Sequence, residues 1–322
     1  MLRAGLLLLV LLGVSPLAWS VCTISTTAGT FGTVTSFALN STIQTTTGTL
    51  IVQCDRVLGL LTNDSVTMRI TGATATAANR ATLKRTDNAT VADAIPIQVC
   101  GASGCANSSE VTVNTSAYTW SATALLGLLG QQRYAIPLYL RTVPGQNVSA
   151  GPYQATVNLS IDYNICALGA LGLCGTPQTG TLLTTLQVNM TITNDCTTIT
   201  APDVNFGSAP LVQNFSPVSQ SVAITCTKDS VYTVGMSNGS YATGSVRNMA
   251  SGSNRMSYEI YKGNSANRWG VSGTERWASS AASNTSTDGL LRTYNYTARV
   301  LTTQATPPAG TYSDTIVVDI AF

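Results

Sequence analysis

Eight cysteines are the side chains of this sequence with the clearest chemistry to offer. They fall as two long pairs of similar spacing, Cys22/Cys54 and Cys196/Cys226, and two local pairs, Cys100/Cys105 and Cys166/Cys174. In an exported chain an even count points to disulfides, and spacing suggests these pairings without fixing them. A zinc site is the competing use, and a weak one: there is no histidine and no C-x-x-C. The missing histidine also removes Ser-His-Asp and Cys-His nucleophile schemes. Asp and Glu total 14, but no spacing singles out a catalytic carboxylate pair. The expectation is a protein that is no enzyme and needs no cofactor or metal.

A second kind of chemistry is association through apolar contact. Three leucine-glycine tracts interrupt a chain otherwise rich in Thr, Ser and Asn: Val57, Leu58, Leu60 and Leu61 around Gly59; Leu125, Leu126, Leu128 and Leu129 around Gly127; and Leu168, Leu171 and Leu173 around Gly169 and Gly172. All lie in the first half. Central glycines weaken both helix and strand, so the tracts read as turns carrying apolar side chains.

The elements that must position these residues follow from pattern. Residues 1–20 read as a signal peptide, with Arg3, an apolar run from Leu6 to Leu12, and Ala18-Trp19-Ser20 as a small-x-small cleavage site. The remainder is long enough for two domains at about 150 residues each. Charged residues are only 9% and the net charge is +2, with no basic face, so nucleic acid is not an expected partner. With 44% apolar residues the chain is not of disordered composition.

The sequence also repeats itself. Cys22 is followed by Phe31-Gly32 and by an alternating run ending at Cys54; Cys196 is followed by Phe206-Gly207 and by a similar run ending at Cys226. Residues 151–163, starting Gly-Pro-Tyr, align without gaps with 310–322, starting Gly-Thr-Tyr. Val157, Leu159, Ile161 and Tyr163 share one face of the first strand, as Ile316, Val318, Ile320 and Phe322 do of the second. Short Val/Ile/Thr/Tyr runs punctuated by Gly, Pro and Asn complete an all-β pattern of two tandem Ig-like β-sandwiches. The first domain is expected over 21–186, with a closing strand at about 186–193 that turns Leu186, Val188, Met190 and Ile192 inward. The second, over 187–322, has no counterpart of that strand. A sandwich short of one strand leaves an open edge that another chain can fill, which is donor-strand complementation.

The second half carries Cys196, Asn205-Phe206-Gly207, Ile224-Thr225-Cys226, Arg268-Trp269-Gly270 and Gly310-Thr311-Tyr312-Ser313-Asp314-Thr315 in order, ending in an aromatic. This resembles the spore coat U domain, the pilin domain of archaic chaperone–usher pili. The first half is a more divergent copy without an Arg-Trp-Gly counterpart. Pilins of this kind carry a donor strand before the first cysteine, whereas here only Val21 would precede Cys22 after cleavage. A two-domain chain of this form resembles the tip adhesins of Csu-type archaic pili. The resemblance implies a periplasmic chaperone, an outer-membrane usher, a following pilus subunit that donates its strand along Ile316 to Phe322, and display at the pilus tip on the cell surface.

Alignment of the copies brackets the first leucine tract by a shared Asp-Ser-Val, at Asp64 and at Asp229, so that it reads as an insertion in a turn. The third lies between Cys166 and Cys174, whose bridge would pinch off a short finger. The expectation is three exposed loops that attach cells to hydrophobic surfaces and promote biofilm formation. Two rivals stay open: a lectin-like tip using Tyr118 and Trp120 as a sugar shelf, and a structural coat or adaptor subunit with a second open groove.

Overall fold

The computed structural model describes residues 22–54, 58–60, 62–121 and 133–322. The expected signal peptide lies outside them, as do Val57, Leu61, Leu125, Leu126, Leu128 and Leu129. Within them the chain forms two β-sandwiches with separate apolar cores.

The first contains β1 (Thr23–Thr27), β2 (Gly29–Thr35), β3 (Thr45–Gln53), β4 (Leu58–Leu60), β5 (Ser65–Ala73), β6 (Thr76–Ala77), β7 (Arg80–Arg85), β8 (Ile95–Cys100), β9 (Glu110–Val111), β10 (Ala117–Trp120), β11 (Arg133–Thr142), β12 (Gly151–Ala170) and β13 (Leu173–Thr193). One sheet runs β1-β3-β11-β8 and the other β5-β12-β13-β2, while β7 pairs with both β8 and β12 and joins them at a corner. Period-two alternation builds the core between them: Tyr134, Ile136, Leu138 and Leu140 of β11 face Val157, Leu159 and Ile161 of β12, all buried.

The closing strand is longer than its apolar pattern. It begins at Leu173 rather than near Leu186, and forms a continuous hairpin with β12 instead of following a loop. Residues 173–181 are exposed apart from the buried Gln178 and half-buried Gly180, so that stretch has no apolar face to impose alternation. Leu186, Val188, Met190 and Ile192 are buried, and β13 lies antiparallel to β12 and parallel to β2.

The second sandwich contains β14 (Cys196–Thr200), β15 (Val218–Cys226), β16 (Thr233–Met236), β17 (Arg247–Ser251), β18 (Asn254–Lys262), β19 (Trp277–Ala278), β20 (Asn284–Thr285), β21 (Leu291–Val300) and β22 (Val318–Ala321). Its sheets are β14-β15-β21-β18-β17 and β19-β16-β22. The Arg-Trp-Gly motif belongs to this core. Trp269 is fully buried, its indole N–H donates to the Val234 carbonyl at 2.9 Å, and Arg268 spans Glu259 and Glu275. The C-terminal strand is shorter than the aligned pattern: only Val318–Ala321 forms a ladder, with Ser313 making an isolated bridge to Ala250.

The domains meet through polar contacts. Ser36 and Thr227 hydroxyls lie 2.7 Å apart, and the Lys228 ammonium donates to Asp93 at 2.5 Å. Asp93 is buried and also accepts from the Ser149 amide and hydroxyl. All eight cysteines are paired, as Cys22–Cys54, Cys100–Cys105, Cys166–Cys174 and Cys196–Cys226.

Candidate functional site: a contact pole and an open groove

The β12–β13 hairpin projects past its last contact with β5, at Asn164 and Ser65, and turns at Leu171-Gly172. Both turn residues have positive φ, 51° and 82°, the requirement of a two-residue I′ turn whose twist suits a hairpin. Asn, Asp or Gly is the usual first residue there; leucine pays a steric penalty in that region. Leu171 is 80% exposed, Leu173 77% and Leu168 45%. The third tract is thus a finger with leucines at its tip, and the Cys166–Cys174 bridge crosses its base.

The first tract is not a bare turn. Its centre is β4, which runs parallel to the finger with Leu58, Gly59 and Leu60 opposite Leu168, Gly169 and Ala170. This long-range pairing leaves no signature in the local pattern. Gly169 is required there, since a Cβ would sit 2.4 Å from the Leu173 carbonyl oxygen. The second tract is bracketed by Trp120, opposite Val66 at the end of β10, and Arg133, opposite Gln53 at the start of β11. Both positions lie at the pole from which the finger projects, so the bases of all three tracts converge.

One buried carboxylate ties those bases together. Asp64 is 3% exposed. Its Oδ1 accepts from the Thr62 hydroxyl at 2.9 Å and the Cys166 amide at 3.0 Å, and its Oδ2 from the Tyr134 hydroxyl at 3.2 Å. Thr62 follows the first tract, Tyr134 follows the second, and Cys166 opens the third. Sequence reasoning used Asp64 only as an alignment mark; a charged residue flanking an apolar tract in a chain this poor in charge was the available signal. Trp120 is no sugar shelf: it is 6% exposed, its indole N–H donates to the Gly101 carbonyl at 2.9 Å, and Tyr118 packs edge-on against it at 5.1 Å.

At the second domain the geometry is the converse. Among the described residues, nothing pairs with β22 on the edge away from β16. A groove of about 440 Å³ runs there, walled by Val204 and Phe206 on one side and Tyr312, Asp314, Ile316 and Val318 on the other. A second cavity of about 470 Å³ shares Val204, Phe206, Met249 and Tyr312 with it and continues the groove past Phe215 and Met256. In the first domain the equivalent space between β2 and β12 holds β13. The correspondence extends to backbone, because Gly32 and Gly207 both have φ of 75° in matching Phe-Gly pairs. Where Val157, Leu159 and Ile161 are fully buried under β13, their counterparts Ile316, Val318 and Ile320 are only half-buried, and Phe322 is 65% exposed.

The family model for the Spore Coat Protein U domain matches residues 8–160 and again 182–319. The chain belongs to that family. Two Spore Coat Protein U matches in one chain agree with the duplication and with the two sandwiches. The structure is similar to that of the CsuC–CsuE chaperone–tip adhesion subunit pre-assembly complex from archaic chaperone-usher Csu pili of Acinetobacter baumannii, at 25% identity and a TM-score of 0.55, covering 94% of this chain and 100% of that one. The CupB6 tip adhesin from Pseudomonas aeruginosa aligns at 10% identity over 94% of this chain and 93% of its own, with a TM-score of 0.40. The CooA pilin subunit from enterotoxigenic Escherichia coli aligns at 12% identity over 53% of this chain and 99% of its own, with a TM-score of 0.31. A search of curated protein sequences finds no significant match.

Proposed function

We propose that this Spore Coat Protein U chain is the tip adhesin of an archaic chaperone–usher pilus, joined to its pilus through the second domain and touching hydrophobic surfaces through the first. One observation carries the reading: the first domain fills its groove with its own β13, while the equivalent groove of the second stands open among the described residues. The likeness to the CsuC–CsuE complex supports a periplasmic chaperone as first occupant of that groove, with an outer-membrane usher and the next subunit's donor strand following. A filled groove in the first domain speaks against an adaptor with two open ends.

The surface-binding half rests on the finger. A leucine held in a left-handed turn and exposed to water is unfavourable on two counts, and such strain is retained where contact rewards it. Burying a leucine side chain fully releases about 1.5–3 kcal/mol, so even partial contact by several tips, multiplied over many pili, holds a cell. Such contact has little geometric selectivity, which suits plastics and other abiotic apolar surfaces and the biofilms that start on them. Exchange of Leu60, Leu128 and Leu171 for serine tests this. Normal pilus yield with attachment lost supports the reading; normal pili with undiminished attachment refutes it.

A further inference from the structure

We infer that the strand entering the second-domain groove carries a hydrogen-bonding side chain (serine, threonine or asparagine) opposite Asp314, and that this carboxylate sets its register. The inference rests on the donor-strand reading above and specifies the chemistry of the partner.

The first domain supplies the geometry. There β13 lies antiparallel to β12 with Met190 opposite Tyr153, Val188 opposite Ala155 and Leu186 opposite Val157. Carried across the gapless alignment of 151–163 with 310–322, those three partners become Tyr312, Asp314 and Ile316. An incoming strand therefore runs antiparallel to 312–320 and parallel to 204–209, with apolar side chains beside Tyr312, Ile316 and Ile320; the β13 residue whose place falls beside Val318 is the half-buried Thr184, opposite Leu159. The middle position differs. Ala155 and Val188 make a dry contact, both buried. Its counterpart, Asp314, puts a carboxylate on the inward face of the groove wall.

The fold is shaped around that carboxylate. Its Oδ1 accepts from the Ser240 amide at 2.8 Å, and its Oδ2 from the Tyr258 hydroxyl at 2.7 Å. Gly239 approaches so closely that a Cβ there would stand 1.9 Å from Oδ2. Burial and the bond to Asp314 push the Tyr258 phenol well up, so it stays a donor. A carboxylate offers about four acceptor sites, and two are used. A strand closing the groove with an aliphatic side chain strips water from the others and returns nothing, whereas a hydroxyl or amide replaces that water.

Register follows. A slip of one residue flips every side chain to the wrong face, so periodicity alone forbids it. A slip of two keeps the apolar face inward and is forbidden only if one position differs from its neighbours. Asp314 is that position.

The test uses the full chain and two fluorescent peptides. One is this chain's own residues 182–193; the other carries Val188→Thr, which keeps the side-chain shape and replaces a methyl with a hydroxyl. Anisotropy titration is expected to show the threonine peptide binding about tenfold tighter, the size of one hydrogen bond to a charged group. In the Asp314→Ala chain, which recreates the Ala155 environment, the preference should reverse. If that variant fails to fold, the peptide pair on the unmodified chain still decides. Equal binding, or tighter binding of the valine peptide, overturns the role of Asp314 and leaves the donor-strand reading standing. Failure of both peptides to bind overturns that reading and this inference together.

Discussion

Replacing Asp64 with alanine removes, among the described residues, three accepted hydrogen bonds at a site only 3% exposed to water, those from Thr62, Tyr134 and Cys166. Bonds to an ionised group contribute about 1.5–3 kcal/mol each, and neighbours sharing one acceptor do not add in full, so the expected loss is about 3–5 kcal/mol. Tyr134→Phe removes the hydroxyl that donates to Asp64 and should cost about 1 kcal/mol. Guanidinium unfolding of the full chain measures both. Amide hydrogen exchange supplies a local readout: the Cys166 N–H donates to Asp64, so a peptide covering 163–170 should lose protection in Asp64→Ala and keep it in Tyr134→Phe. Attachment should fall with Asp64→Ala even where the domain stays folded, because the three tracts lose their common anchor. An Asp64→Ala chain within about 0.5 kcal/mol of the parent, with the Cys166 amide still protected, would show that the carboxylate is not the knot described.

Leu171→Asn should relieve the left-handed turn and stabilise the hairpin by about 1 kcal/mol while weakening attachment to plastic, so that stability and adhesion move in opposite directions; parallel change in thermal unfolding and adhesion assays would refute the strained-tip argument. Removing the finger's bridge with Cys166→Ser and Cys174→Ser should cost about 2 kcal/mol of ordering, seen as faster exchange across 168–173, and leave β12–β13 pairing nearer the sandwich protected. Residues 187–322 expressed without partners should unfold without cooperativity and be rescued by a donor peptide; a stable monomer without one contradicts the open groove. At the domain joint, burial pushes the Asp93 carboxyl up, but the hydrogen bonds from Lys228 and Ser149 outweigh it and hold it below its usual range. A depressed folded value means the contribution is present above the unfolded carboxylate's value of about 3.9 and lost as pH falls through the folded one. Interdomain distances by fluorescence transfer should therefore broaden in acid, and Lys228→Ala should broaden them at pH 7; insensitivity to both would mean that other contacts set the joint.

Much of this architecture was legible because burial writes itself into period two. Leu186, Val188, Met190 and Ile192 announced a strand with one buried face, and the paired Cys and Phe-Gly frames announced two copies. The outer half of β13 gave no such signal, since most residues between Leu173 and Thr181 face water, the one buried there is the polar Gln178, and the stretch carries Gly175 and Pro177. The pairing of β4 with the finger was hidden for a different reason: residues 58–60 and 168–170 are neighbours only after the sandwich has closed. Asp64 and Asp314 were visible only as letters in an alignment. Asp314 was the more readable of the two, a charged residue at an inward position between Tyr312 and Ile316. What neither revealed in sequence was its set of donors, which come from the loop around Gly239 and from β18 in one case and from three separate segments in the other.

The β12–β13 hairpin is at once the shaft of the finger and the closing pair of the first domain, and that gives the chain a mechanical axis. A pull on a tip held at Leu171 and Leu173 travels along the strands, loading their hydrogen-bond ladders lengthwise. Many bonds must then yield together, where a sideways pull would unzip them one by one. β13 is gripped on two sides, by β12 and by β2, and leads through Asn194 and Asp195 to Cys196, which is cross-linked to Cys226. If the proposed tip bears load, tension entering at the leucines reaches the second sandwich along one strand, the short link Asn194-Asp195 and the Cys196–Cys226 cross-link.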